Sequence, residues 1–257
     1  VLPRAPHSTL NVPISARRTL VTYHARREEL LAARTGGGTL NDVGLAAVAG
    51  ALRALALVDG EAPDEPLKAM VPVSMRERAD TTSGNQISMV NIALPIHLTT
   101  ARKRLDWVRE QTDELKHTDR PAATQRLYQA CGLVPAPLRT PVVRAMAAPR
   151  QFNLTVSQSP APPGSLYLLG CQLEEVYSVV PISQGHALAI GMVRYRRELF
   201  FGCYANPDAL PEVHDLPALL AAELKELAAA PQRPATPRPR AARADTNVDA
   251  TLAVPVG

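Results

Sequence analysis

The chain has 257 residues, which is enough for one large domain or two small ones. Its hydrophobic fraction of 46% is ordinary for a protein that buries a core, and its aromatic fraction of 4% means that Ala, Leu and Val must build most of that core. The formal net charge is only +4. No basic patch with aromatic or groove-reading elements accompanies it, so composition argues against a nucleic-acid partner.

The cysteines argue against a disulfide framework and against a metal site. There are three, Cys131, Cys171 and Cys203, and no two of them form a Cys-x-x-Cys pair. We therefore expect reduced thiols in a cytoplasmic protein, without a bound metal. Cys171 and Cys203 fall in apolar, strand-like runs and are predicted to be small core residues.

The sequence gives no indication of a membrane anchor or a secretion signal. No apolar run approaches the ~20 residues that span a bilayer. No charged start, apolar middle and small-residue cleavage site combine into a signal peptide. The chain begins at Val1 and not at Met, which indicates a fragment, a processed product or an incomplete gene model.

The first part of the chain is predicted to be an extended entry segment or linker. Residues 1–25 hold Pro3, Pro6 and Pro13 and few periodic apolar residues. Residues 26–34 then read as a short helix, and the glycines at 36–38 are placed to end it.

A long buried helix is predicted next, from about Asp42 to Leu57. Its apolar residues lie nearly all round, which is typical of a helix buried on several sides. Thr39 or Asn41 can cap it by accepting from free first-turn amides. Asp42 lies in the first turn, where the helix dipole favours a negative charge.

Alternating strands and helices follow, so the predicted fold class is mixed α/β, a mixed sheet flanked by helices. Residues 26–228 are predicted to form one domain, and residues 229–257, rich in Pro and Arg, a disordered tail. Pro72 indicates a strand edge or a bulge. The predicted strands cover 67–73, 86–96, 152–157, one or two within 166–180, 187–194 and 198–204, and the predicted helices cover 100–117, 122–148 with proline breaks, and 216–227.

Several short motifs occur in a fixed order. They are Asn41-Asp42-Val43-Gly44-Leu45-Ala46, the run from Pro66 to Arg76 (PLKAMVPVSMR), Gly84-Asn85-Gln86, Ser157, the run from Leu166 to Gly170 (LYLLG), and Leu199-Phe200-Phe201-Gly202. As a series they resemble the C-terminal half of the bacterial wax ester synthase/diacylglycerol acyltransferase family. The resemblance covers about residues 6–228. It implies one half of a two-domain fold similar to the CoA-dependent acyltransferases.

Two departures from the family pattern remove a glycine at a turn. Ser-Asn-Val-Pro-Gly-Pro is replaced by Ser-Gln-Ser-Pro-Ala-Pro at 157–162, and Ser-Tyr-x-Gly is replaced by Arg194-Tyr195-Arg196-Arg197. Glycine permits backbone angles that cost other residues about 1 kcal/mol or more. We therefore expect these loops to differ in shape or to be less stable.

The histidine motif of the resembled family is absent from this chain. That motif, His-His-x-x-x-Asp-Gly, belongs to the N-terminal half, and its second His serves as general base because its pKa lies near working pH. None of the six histidines here lies next to another or begins such a motif; they are His7, His24, His97, His117, His186 and His214. We therefore predict no catalytic residue in this chain.

The resemblance does imply residues that shape the substrate channel. Asn41 and Asp42 would lie close to the domain junction. Asn85, Ser157 and the loop at 158–165 would face the channel, and Gly170 belongs to the same set. An amide or hydroxyl there could donate to the thioester oxygen as charge develops on it. The alternatives are a helix cap for Asn41-Asp42 and turn-stabilising polar groups for Asn85 and Ser157.

By this resemblance the whole enzyme would transfer a fatty acyl group from acyl-CoA to diacylglycerol or a long-chain alcohol. Acyl-CoA is a substrate, and no cofactor is expected. The chain alone should be inactive, and should pair with an N-terminal half or with itself, with peripheral contact to a membrane or lipid droplet. The alternative is a non-catalytic acyl-lipid-binding or regulatory module. A third hypothesis, an independent enzyme using His186 or His97, is testable by replacing each with Ala.

Overall fold

A mixed six-stranded sheet forms the centre of the fold. The computed structural model describes residues 4–34, 38–58, 60, 62–74, 87–116, 151–159, 162 and 164–230. The strand order is β1-β8-β7-β4-β2-β3, in which β2, β4 and β7 run parallel to one another and the other neighbours are antiparallel. The strands are β1 (Thr19–Ala25), β2 (Leu67–Ser74), β3 (Ile87–Leu94), β4 (Leu154–Ser159), β7 (Leu188–Tyr195) and β8 (Glu198–Ala205).

Most of these strands lie where the sequence predicts them. Pro72 lies in β2, and the pairing of β2 with β4 is limited to Ala69 and Met70. Within the described residues Pro72 is paired only with Met89 of β3, although β2 itself lies inside the sheet, between β4 and β3.

The predicted entry segment contains an element that the sequence analysis does not anticipate. Strand β1 pairs with β8 along its whole length. The segment before β1 is bound by Asn153, which is fully buried. Its side-chain amide donates to the Pro6 carbonyl at 2.9 Å and to Asn11 Oδ1 at 2.7 Å. These residues thus belong to the folded unit, because their polar groups are paired inside it.

Helices cover one face of the sheet, as predicted. They are α1 (Arg27–Ala33), α2 (Leu40–Val58), α3 (Ala101–Lys116) and α4 (Leu216–Ala229), the last preceded by a 3-10 turn at Pro211–Asp215. Helix α2 lies between α3, α4 and the sheet. The predicted helix at 122–148 and the predicted tail lie outside the described residues.

Helix α2 corrects the expectation that no apolar run approaches a membrane span. It has 19 residues and, within the described residues, is long and apolar enough to cross a bilayer. However, 67% of the span is buried inside the fold. The length and composition therefore reflect a core helix that has neighbours on nearly all sides.

The helices are joined by an ion pair that is buried between them. Arg104 of α3 donates to Glu223 of α4 through Nε at 2.9 Å and through Nη2 at 2.6 Å. Arg104 also donates to the Leu98 carbonyl at 2.8 Å. Gly50 of α2 lies against the Glu223 carboxylate, so close that a Cβ at position 50 would collide with it.

The opposite face of β7 and β8 is covered by residues 173–182, which have no regular secondary structure and which we call the outer strap. Leu173, Val176 and Tyr177 of the strap pack on Tyr195 and Phe200. Ser178 passes directly over the paired glycines at 191 and 202, where any side chain would meet the Ser178 backbone.

One of the two cysteine predictions is wrong. Cys203 is buried in β8, and burial raises the pKa of its thiol to about 12. Cys171 is exposed, because its strand, β6 (Cys171–Gln172), pairs only with β5 (Tyr167–Leu168), apart from the main sheet. Cys131 lies outside the described residues.

Candidate functional site

An open cleft of about 520 Å³ lies at the edge where the parallel strands end. Because β2, β4 and β7 are parallel, their carboxyl ends lie on the same side of the sheet. Ligands of open α/β sheets bind in such a position. The lining residues come from the start of α2, from the loop after β4 and from the β7–β8 turn; they are Leu40, Pro162, Gly164, Ser165, Arg194, Arg196 and Arg197.

Asp42, next to the cleft, is used as a helix cap. The Thr39 amide donates to Asp42 Oδ2 at 2.6 Å, and the Asp42 amide donates to Thr39 Oγ1 at 3.2 Å. Thr112 of α3 donates to Asp42 Oδ1 at 2.8 Å. Both carboxylate oxygens therefore have partners inside the fold, which is the arrangement expected of a capping residue.

Asn41 differs from Asp42 in having an unused acceptor. Its Oδ1 is buried and has no hydrogen-bond partner within the described residues. An unpaired buried acceptor costs about 1–3 kcal/mol. Asn41 follows Leu40, which lines the cleft, and its predicted place near the domain junction stays a prediction.

The other predicted polar residues are not brought together by the described structure. Ser157 lies in β4 opposite Gly191 of β7 and is half-buried. Within the described residues its hydroxyl has no hydrogen bond, and it does not line the cleft. Asn85 lies outside the described residues. The channel-facing role of both residues therefore stays a prediction.

Gly170 lies at the tip of the hairpin formed by β5 and β6, which we call the exposed hairpin. Leu169 (φ 49°) and Gly170 (φ 83°) are both left-handed, as the two-residue turn of a tight hairpin requires. Leu168 and Leu169 are 76% and 96% exposed. Gly170 thus has a local structural role, and the residues beside it present apolar surface.

Tyr195 connects the exposed hairpin to the main sheet. Its hydroxyl accepts from the Leu166 amide at 3.0 Å and donates to the Leu173 carbonyl at 2.9 Å. Its ring is fully buried under the outer strap. The base of the hairpin is therefore held firmly, while its tip extends into solvent.

The arginines of the β7–β8 turn are the site residues that the sequence analysis misses. Arg194, Arg196 and Arg197 all line the cleft, and none of them has a hydrogen bond or ion pair within the described residues. The signal was present as three arginines in four positions at a hairpin turn. From the sequence, only the loss of a glycine at this turn is apparent. In the structure Arg196 (φ 50°) and Arg197 (φ 68°) both adopt the left-handed backbone of the turn.

His186 and His97 do not line the cleft. His186 is buried, with Nε2 at 3.2 Å from the Phe152 carbonyl and its ring stacked on Phe152. Burial lowers the pKa of His186, which favours a neutral ring, although backbone hydrogen bonds oppose the shift. His97 makes an edge contact with Trp107. Neither histidine is therefore placed to act on a ligand in this cleft.

Comparisons with known proteins agree with the resemblance seen in the motifs. A Mycobacterium tuberculosis protein that bears the provisional name diacylglycerol O-acyltransferase is 34% identical over 242 residues, 87% of this chain and 46% of that protein. The O-acyltransferase WSD of Acinetobacter baylyi is 31% identical over 224 residues, 86% of this chain and 49% of its own length. The chain thus spans about half the length of the curated relatives it matches.

Structure comparison confirms the predicted fold class. The wax ester synthase/diacylglycerol acyltransferase from Marinobacter aquaeolei VT8 superposes with a TM-score of 0.66 at 26% identity, over 87% of this chain and 51% of that chain. The family model described as the WS/DGAT C-terminal domain matches residues 83–228, more than half of the sequence. The chain therefore belongs to the WS/DGAT C-terminal domain family.

Proposed function

We propose that this chain is the C-terminal half of an O-acyltransferase that moves a fatty acyl group from acyl-CoA to diacylglycerol or a long-chain alcohol. The observation that carries the proposal is the family membership of a chain that spans about half of relatives named as acyltransferases. The chain itself holds no His-His-x-x-x-Asp-Gly motif.

The chemistry is divided between two halves. A general base in the N-terminal half takes the proton from the acceptor hydroxyl, whose oxygen attacks the thioester carbonyl; the carbon–sulfur bond breaks and CoA leaves as the thiol. This chain supplies the opposite wall of the channel. The Ser157 hydroxyl, which has no hydrogen bond within the described residues, would donate to the thioester oxygen as charge develops there.

The N-terminal half would contact the exposed hairpin. An isolated two-stranded hairpin is at best marginally stable in water, and this one presents Leu168 and Leu169 to solvent. Lipid acceptors imply that the assembled enzyme works in the cytoplasm in loose contact with a membrane or lipid droplet.

The test is CoA release from palmitoyl-CoA with diacylglycerol or hexadecanol, using the purified chain with and without the N-terminal half of the Acinetobacter baylyi relative. Activity is expected only in the mixture. The control is the same N-terminal half with the second His of its motif replaced by Ala. Activity of the chain alone would overturn the proposed division, and a folded mixture without activity would favour a lipid-binding or regulatory module.

Docking of the hairpin can be followed through Cys171. In a Cys131→Ser chain, the exposed thiol of Cys171 should react with a thiol reagent when the chain is alone and be protected in the mixture, whereas the buried Cys203 stays unreactive in both. Leu169→Ser should weaken the association. Leu31→Ser, at a half-exposed leucine of α1, is the matched control. Equal reactivity of Cys171 in both samples would contradict docking at this hairpin.

A further inference from the structure

We propose that Arg194, Arg196 and Arg197 form a binding site for a phosphate-bearing ligand in the cleft at the carboxyl ends of the parallel strands. The proposal deepens the proposed function and rests on it only for the identity of the ligand, since acyl-CoA carries phosphates. The site itself is argued from the three side chains and the cleft that they share.

The three arginines bring three positive charges to one cleft. All three line the same cleft and, within the described residues, none is paired with a carboxylate or bound to a carbonyl. Like charges held together repel each other. Elsewhere in the described structure, the arginines at 17, 102, 104 and 109 do have carboxylate partners. The described residues therefore supply no anion that pairs with the three arginines at the cleft.

The turn that carries these arginines is joined to the sheet through Tyr195. Arg194 precedes Tyr195 in β7 and Arg196 follows it in the turn, and the Tyr195 ring is buried under the outer strap. Because the Tyr195 hydroxyl is bonded on both sides, the turn that carries the arginines is anchored. The backbone of the turn is thus held in place, while the three arginine side chains are exposed to solvent.

The turn accepts conformational strain to carry arginine. Arg196 and Arg197 are both in left-handed backbone, where glycine would cost less. The family pattern named above has Ser at position 194 and Gly at position 197. A two-residue hairpin turn requires left-handed backbone at both positions, so this backbone follows from the turn. What is particular to this chain is that arginine occupies positions where glycine would cost less.

Phosphate is the ligand group that fits best. Guanidinium binds phosphate oxygens through paired N–H donors. The volume of about 520 Å³ is large enough for a small molecule. Two sources share this chemistry: the nucleotide part of acyl-CoA and the headgroup of an anionic phospholipid.

Calorimetric titration of the full chain with coenzyme A, 3′-dephospho-coenzyme A and inorganic pyrophosphate tests the nucleotide source. Sedimentation with phosphatidylcholine vesicles, with and without phosphatidic acid, tests the lipid source. Whichever probe binds, its affinity should fall by about tenfold in each of three variants, Arg194→Gln, Arg196→Gln and Arg197→Gln. Arg27→Gln removes the same charge from an exposed arginine of α1 that does not line the cleft, and should leave binding unchanged.

Binding of coenzyme A or pyrophosphate that depends on the three arginines supports the site and assigns it to the nucleotide. Sedimentation only with anionic vesicles, with the same dependence, supports the site and assigns it to lipid. Absence of binding to all probes, or equal loss with Arg27→Gln, overturns the proposal. Since the titrations use the chain alone, their failure is distinct from a failure of acyl transfer by the two mixed halves.

Discussion

The helix-covered face of the sheet and the edge that carries the cleft differ in how far their charged and apolar side chains find partners within the chain. On the helix face, Arg104 and Glu223 are buried and satisfy each other. At the cleft edge, three arginines lack partners within the described residues, and Leu168 and Leu169 of the neighbouring hairpin are exposed. The buried charges of the helix face are therefore matched within the chain, whereas the cleft edge has the features of a surface that something else covers.

If the helix face is closely packed, Gly50→Ala should be the most damaging change. The new Cβ would collide with the Glu223 carboxylate and disturb its pair with Arg104. We expect a loss of about 3 kcal/mol in the free energy of unfolding, measured by urea denaturation. In an Arg104→Met/Glu223→Ala background the same change should instead stabilise by up to about 1 kcal/mol, since Ala favours helix over Gly. Equal effects in both backgrounds would refute this account.

The outer strap provides an intermediate case. Gly202→Ala would place a Cβ against the Ser178 backbone carbonyl, which cannot rotate away. We expect a loss of about 2 kcal/mol and faster proteolysis within residues 173–182. Gly44→Ala is the comparison, because there the obstacles are the side-chain ends of Leu199 and Met192 at 2.8 and 2.9 Å. A larger loss for Gly44→Ala would show that the strap is loosely held.

At the cleft edge, a change that removes a binding group should stabilise the fold. Arg197→Gly relieves a left-handed residue, and after the entropy that Gly adds to the unfolded chain the gain should be about 0.5 kcal/mol. Phosphate binding should weaken at the same time. Arg194→Gln, at a residue without positive φ, should weaken binding without the gain in stability. A loss of stability in Arg197→Gly would mean that the arginine supports the turn.

The smallest effect on stability is expected at the tip of the exposed hairpin. Leu169→Ser should leave the melting temperature of the chain nearly unchanged, within about 0.5 kcal/mol of unfolding free energy, because the side chain is 96% exposed. Its effect should be visible only as weaker association with an N-terminal half. A clear drop in the melting temperature would place Leu169 in a contact that stabilises the chain alone.

Local patterns in the sequence predict local structure well. The β7–β8 hairpin follows from two apolar runs around Arg196-Arg197, and α2 follows from its continuous apolar character. The inward position of Arg104 does not follow, because α3 reads as a surface helix and Glu223 lies far along the sequence. The run at 166–170 is as apolar as a core strand, yet all of its residues are exposed in the described structure. Burial depends on which neighbours are present, and a single sequence does not specify them.

The pairing of β1 with β8 determines when this sheet can be completed. Thr19 pairs with Ala205 and Ala25 pairs with Leu199, so the first strand of the described chain needs the last one. Pairings between residues so distant in sequence require large loops to close and slow the folding of a domain. A chain synthesised from its N-terminus must hold β1 unpaired until β8 has been made. Strand β1 is therefore a segment that a chaperone or a wrong partner could engage before the native fold forms.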